Sequence, residues 1–252
     1  MIARGRRGRL RSAAVSETSF PTEFIVNAVV SKVGRGTLPF QQAHTGGRRA
    51  TAFWYNDLVE QTAEDDYIRQ YLVTAAEATR CELADFQLRA ELCRPEMSAE
   101  RLLMPDFEGR WITLPGLGVA VMPTDDLYRH AARKGWEWST DEVTEGIAAT
   151  ATDLSRVAAG GTPALVLGHD VGPEGARLQA VAVGAVGRDA EGALRWDRAM
   201  PEGCVGAPVF TGLPVGDDGW KLVCLGVVLP GPRFNVVAPF DRIRDAVRAL
   251  PR

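Results

Sequence analysis

A chain of 252 residues, 46% of them hydrophobic, is long enough for one large all-β domain or two small ones. Its net charge of −3 gives no global electrostatic reason to expect nucleic acid as a partner. No stretch approaches the roughly 18 apolar residues that would span a membrane, so no membrane contact is expected. Cys81, Cys93, Cys204 and Cys224 form neither a C-x-x-C pair nor a disulfide framework. Free thiols, no metal and no cofactor are the expectation.

Residues 1–20 are basic and rich in small residues, and read as a disordered tail. The segment has the basic start of a secretion signal without its apolar core, which places the chain in a reducing cytoplasm. FIVNAVVSKV (24–33) is rich in β-branched residues and reads as a strand, with a Gly/Pro/Gln loop after it. ATAFWY (50–55) and YLVTAA (71–76) read as buried strands on either side of a polar hairpin. Further strands are expected at DFQLRAEL, GRWITL, GVAVMP, ALVLGHD, LQAVAVGAVG, CVGAPVF, KLVCLGVVL and FNVVAP, with Gly, Pro and Asp turn signals between them. DDLYRHAARKGWEW predicts a short helix opened by Asp125 or Asp126 and ending near Gly135. PFDRIRDAVRAL places Phe240, Ile243, Val247 and Leu250 at helical spacing. Many short strands at close spacing indicate an all-β sandwich or barrel, with residues 140–163 as the connection between two units.

Three patterns then arrive in order. TAFWY followed by YLVTAAEAT pairs a small–small–Phe strand with a strand ending in T-A-A. LPGLGVAVMP is a hydrophobic strand, and EGCVGAPVFTG is a G-x-x-G-x-P loop. Together they resemble the trypsin-like serine protease family. There the first strand pair ends in the catalytic histidine, the second strand carries the aspartate and the loop presents the nucleophilic serine. LVCLGVVL and FNVVAPFDRIRDAV look like the closing strands and terminal helix of the same fold, so the resemblance runs from about Phe24 to about Val247. It implies a chymotrypsin-like double β-barrel with a C-terminal helix. The first barrel would span 21–125, the helical connection 126–149, and the second barrel with its helix 150–252. The alignment puts Glu77, Gly118 and Val205 at the triad positions, 41 and 87 residues apart. The chymotrypsin triad has gaps of about 45 and about 93 in the same His–Asp–Ser order.

Chemistry at these positions is absent. Serine attack needs an imidazole base and a carboxylate to orient it. Glu77 has a resting pKa of about 4.3, Gly118 has no side chain, and Val205 has no lone pair. The family's oxyanion hole uses backbone N–H groups at positions that fall here on Gly203 and Val205. The resemblance therefore implies a pseudoprotease that holds a peptide or protein segment in the cleft between the barrels, by strand addition that needs only backbone groups. The alternative is a hydrolase with Cys204 as nucleophile, although neighbouring side chains on an extended strand point apart. His169 beside Asp170 reads as a surface histidine in a turn, and His130 as an exposed helix residue. Trp136 and Trp138 read as half-buried packing. Glu77 is expected to be partly shielded on the cleft floor and paired with an arginine. The sequence fixes no oligomeric state.

Overall fold

The computed structural model describes residues 22–44, 47–62, 65–96, 101–172, 175–216, 219–231 and 235–251; the basic segment 1–20 lies outside them. Helix α1 (Thr22–Val33) leads into β1 (Thr37–Gln42), β2 (Arg49–Gln61) and β3 (Asp66–Ala75). A 3₁₀ turn (Ala76–Thr79) follows, then β4 (Leu83–Gln87), β5 (Cys93–Arg94), β6 (Arg101–Pro105), β7 (Ile112–Leu114) and β8 (Val119–Pro123). The connection carries α2 (Asp125–Arg133), β9 (Glu137–Trp138) and α3 (Ala151–Ser155). The second half consists of β10 (Thr162–Val171), β11 (Arg177–Arg188), β12 (Leu194–Trp196), β13 (Pro208–Val215), β14 (Gly219–Leu229), β15 (Val236–Pro239) and helix α4 (Phe240–Arg248).

The first half is one antiparallel sheet in the order β6-β4-β1-β2-β3-β8-β7, a half-barrel whose end strands do not pair among the described residues. The second half is a closed six-stranded barrel, β10-β11-β12-β15-β14-β13. The all-β expectation holds, and α4 sits where its 3.6-residue pattern put it. CVGAPVF pairs as a strand only from Pro208, and DFQLRAEL only to Gln87. Two further expectations fail outright. FIVNAVVSKV is helical: Ile25, Val29 and Val33 recur every four residues on one buried face, and that periodicity overrides β propensity. Residues 37–42, expected as loop, form β1. Pro39 faces Thr51 on β2, while β4 begins pairing only at Phe40, so the missing N–H sits on an edge.

The run Ala50–Tyr55 is apolar throughout because both faces of β2 are covered. Ala52 and Trp54 point into the half-barrel with Phe40, Phe86 and Leu72. Phe53 and Tyr55 point the other way, into a second core shared with α1, the closed barrel and α4. Phe240 of α4 stacks on both, at ring-centroid distances of 6.4 and 5.0 Å. The connection ties the halves together: Val143 brackets Trp54 and Asn56 on β2, and Ile147–Ala149 brackets Cys224 on β14. Arg248 and Arg244 of α4 reach Glu145, and Arg248 also reaches Asp57.

The rest of the seam is polar. Cross-strand register lines up Arg49, Gln41 and Asp85 on one outer face of the half-barrel, with Thr51 and Gln87 two residues along. Arg177 of β11 enters this face. Its Nη2 donates to Asp85 Oδ1 at 2.5 Å, Nη1 to the Asp85 carbonyl at 3.1 Å and Nε to Gln87 Oε1 at 3.0 Å. Gln41 Nε2 donates to the other Asp85 oxygen at 3.2 Å. Both charged side chains are under 5% exposed. Burial lowers the Arg177 pKa, and the facing Asp85 carboxylate opposes that shift. Removing one member of a buried pair strands the other charge. Asp85→Ala is therefore expected to cost about 3–5 kcal/mol in urea unfolding. A loss under about 1 kcal/mol, the range of an exposed pair, would show that water reaches the seam.

Candidate functional site

The triad-aligned positions meet at the head of this seam. β3 ends at Ala75 and turns through the 3₁₀ segment that carries Glu77. The Ala76 N–H donates to the Gly118 carbonyl at 2.8 Å, which fixes Glu77 beside the β7–β8 turn. Thr51 N–H donates to the Val205 carbonyl at 2.9 Å, and Thr74 Oγ1 donates to the Thr51 carbonyl at 2.8 Å. A Cβ on Gly206 would lie 2.1 Å from Thr74 Oγ1 and 2.8 Å from Ala75 N, so the loop presses directly on the end of β3. Glu77, Gly118 and Val205 thus share one region.

Their environments differ from a catalytic set. The Glu77 side chain is 56% exposed, not shielded as expected. Arg48 Nη1 lies 4.0 Å from its carboxylate and 3.0 Å from its carbonyl, a loose surface pairing. Gly118 sits at φ +67°, a left-handed conformation that glycine adopts without a Cβ penalty. Val205 presents a half-buried isopropyl group. Glu202–Cys204 forms a 3₁₀ turn in which Val205 N–H donates to the Glu202 carbonyl at 3.2 Å. One of the two N–H groups assigned to an oxyanion hole is therefore already engaged.

Cys204 is fully buried against Gly168, and its thiol sits 3.8 Å from the His169 carbonyl. Burial, with Asp170 adding to it, pushes the thiol pKa up to about 11, the reverse of what an attacking thiolate needs. His169, read from sequence as a surface residue, is 1% exposed. β10 carries it into the seam, because ALVLGHD continues the buried strand past its turn-like residues. Asp170 is exposed and its Oδ1 accepts from Val171 N–H. The His169 ring instead meets Thr51, with Nδ1 3.2 Å from Oγ1. Thr51 Oγ1 also lies 2.7 Å from the Gly203 carbonyl, which can only accept. The single hydroxyl proton goes there, so His169 Nδ1–H donates to Thr51 and Nε2 is left a bare acceptor. No partner reaches Nε2, which is buried. This Thr51–His169–Gly203 knot was not foreseen from sequence; only the neutral, apolar approach to His169 in ALVLGHD pointed to burial.

Other expected residues lie elsewhere. His130 is half-buried and packs edge-on against Trp136 at 5.9 Å, not exposed as expected. Trp136 and Trp138 rest half-buried on the half-barrel core. His44 is exposed at φ +65°. No disulfide joins the four cysteines. Among the described residues no group of acidic, Cys and His side chains could hold a metal, and no helix is long and apolar enough to cross a membrane. Next to Gly118 a cavity of about 410 Å³ opens between the halves. Leu117 lines it from the half-barrel, with Leu194, Leu229 and Val237 from the closed barrel.

No protein-family model and no curated protein matches the chain. Solved structures do. Deg5 superposes with a TM-score of 0.52 at 14% identity, over 90% of this chain and 94% of that one. The serine endoprotease from Yersinia pestis gives 0.51 at 9%, over 88% and 66%. The HtrA-type protease AlgW with a tripeptide gives 0.50 at 14%, over 89% and 62%. The chain thus spans 66% of the Yersinia protein and 62% of AlgW, under two thirds of either. At these identities the likeness shows the fold, a chymotrypsin-like double β-barrel.

His169 gives the seam a pH signature. Burial, reinforced by Arg89 and Arg177, lowers its pKa from 6.5 to about 3. Between these values the unfolded chain binds a proton that the folded chain refuses, so stability falls as pH drops below about 6.5. The slope approaches about 1.4 kcal/mol per pH unit. Urea midpoints for wild type and His169→Asn should diverge between pH 7 and pH 5, with the wild type losing about 1–2 kcal/mol more. Parallel profiles would show that the histidine titrates normally in the fold.

Proposed function

We propose that this chain is a protease-shaped binding protein that holds an extended peptide or protein segment between its barrels and does not cleave it. The observation that carries the reading is Val205: at the nucleophile position stands a side chain without a lone pair. Its N–H is engaged by the Glu202 carbonyl. Glu77 and Gly118 complete the position set without a base positioned against a hydroxyl. Cys204, the other candidate nucleophile, is a buried thiol with a raised pKa.

Support for binding comes from the cavity beside Gly118. Its lining of leucine and valine from both barrels suits an apolar side chain. Arg188, Arg242, Glu191 and Asp241 stand around it and offer polar contacts to a backbone. Fold analogy adds a prior only, because sites rather than folds carry function.

Purified protein should leave casein peptides uncut and take no label from a fluorophosphonate probe or, while folded, from iodoacetamide at Cys204. A library of phage-displayed random dodecapeptides should yield binders with apolar anchors. Leu117→Glu, which charges the cavity wall, should weaken those binders at least about tenfold. Turnover that disappears in Cys204→Ala would establish the hydrolase instead. Selected peptides indifferent to Leu117→Glu would place the binding surface elsewhere.

A further inference from the structure

We propose that a second copy of this chain pairs along the outer edge of β11, giving a two-fold dimer through strand addition, independent of the cleft. β11 is twelve residues long and pairs with β10 along its whole length, from Arg177 to Arg188. On its other side β12 covers only Val186, Gly187 and Arg188. Ala185 marks the boundary: its carbonyl accepts from Asp197 N–H at 3.1 Å and its N–H donates to Asp197 Oδ1 at 2.9 Å. Both groups of Ala185 therefore point away from β10. The β10–β11 register runs without a bulge, so the N–H and C=O of Val183, Val181 and Gln179 point the same way. Among the described residues no strand pairs with this stretch.

Edges of this kind are normally blunted by a lysine, a proline, a bulge or an inward charge. Here Leu178–Ala185 reads L-Q-A-V-A-V-G-A, with no charge and no proline. Leu178 and Val183 are 58% and 45% exposed. The remaining choice is the occupant. A two-fold axis through Val181 places Val181 opposite its copy and Gln179 opposite Val183. Three such hydrogen-bonded pairs make about six backbone bonds. Leu178 then faces Gly184 of the other copy, the one position there without a side chain. No like charges meet along the stretch. At its two ends stand Asp170, exposed on β10 opposite Leu178, and the exposed ion pair of Arg198 with Asp197, 3.8 Å apart. The axis brings the Asp197–Arg198 ion pair of one copy to the Asp170 end of the other, so no unpaired like charges meet at the ends. Seven residues a side bury less than the roughly 1,200 Å² of a standard interface, so the dimer is a weak, concentration-dependent one.

The test is sedimentation velocity of the full chain from about 5 to 500 µM, with hydrogen exchange at both extremes. The expected result is a rise in the weight-average mass toward the dimer, with the amides of Val181 and Val183 slowed at least tenfold at high concentration. Val181→Pro removes an N–H that serves no internal ladder bond, and Val183→Lys places a charge on the edge. Each should hold the chain monomeric while its circular dichroism and urea midpoint match the wild type. A monomer throughout, with both amides exchanging equally fast at both concentrations, overturns the proposal. So does a dimer that survives both substitutions. If Val181→Pro unfolds the barrel, Val183→Lys and the exchange data decide alone. Peptide selection at the cleft is read separately and does not bear on this edge.

Discussion

The arrangement depends on a guanidinium taken out of water. Arg177 leaves the closed barrel and ends inside the outer face of the half-barrel, where Asp85 and Gln87 satisfy it through three hydrogen bonds. A charge that deep is tolerable only with every donor matched, which demands one relative position of the two halves. The apolar part of the seam, Phe53, Tyr55 and Phe240, supplies burial but little direction. Hydrophobic contact holds the halves together; Arg177 fixes where they stop sliding.

Once β11 is placed, β10 follows by register, and His169 arrives at Thr51. Thr51 sits at the centre of what remains. Its N–H holds the Val205 carbonyl, its hydroxyl holds the Gly203 carbonyl, and its own carbonyl takes the Thr74 hydroxyl. The G-x-x-G-A-P loop is therefore gripped from both barrels. Close packing demands glycine at two places in it. A Cβ on Gly203 would stand 2.3 Å from the His169 carbonyl, and Gly206 combines φ +82° with a 2.1 Å approach to Thr74. Packing alone accounts for the motif. Its presence in a sequence is evidence of the seam, and says nothing by itself about hydrolysis.

Most strands were legible because their β-branched runs are bounded by turn residues, and α4 because its arginines alternate with Phe240, Ile243 and Val247. α1 was misread for a definable reason. Its ten residues 24–33 hold four valines and an isoleucine, which favour strand, while the spacing of Ile25, Val29 and Val33 is helical. Tertiary burial of that one face decides the matter. The position of Glu77, Gly118 and Val205 in one region followed from motif order. The surroundings of each did not: Glu77 stands exposed beside Arg48, 29 residues before it in the chain, and the Val205 carbonyl is held by Thr51 of the other half. His169 shows the limit most plainly: ALVLGHD was legible as a strand, but Gly168 and Asp170 look like its closing turn, and only the pairing of β10 with β11 and β13 shows that it runs on buried through His169.

Glu77, Gly118 and Val205 are each at ease in their local geometry. Gly118 occupies φ +67°, where a residue with a Cβ carries a penalty on the order of 1 kcal/mol. Its carbonyl accepts from Ala76 N–H, a link that needs no side chain. Val205 lies at φ −59°, ψ 131°, an ordinary extended conformation, and half-buries an apolar group where a nucleophile would have to stay solvated and poised. The Glu77 side chain lies exposed, and Arg48 reaches its carbonyl. Active sites commonly hold strained or desolvated groups at a cost in stability. Nothing of that kind is visible at these three residues. The costly buried groups lie in the seam, at His169 with its bare Nε2 and at the Arg177–Asp85 pair. What that seam preserves is the relative position of the two barrels, and hence the shape of the cleft between them.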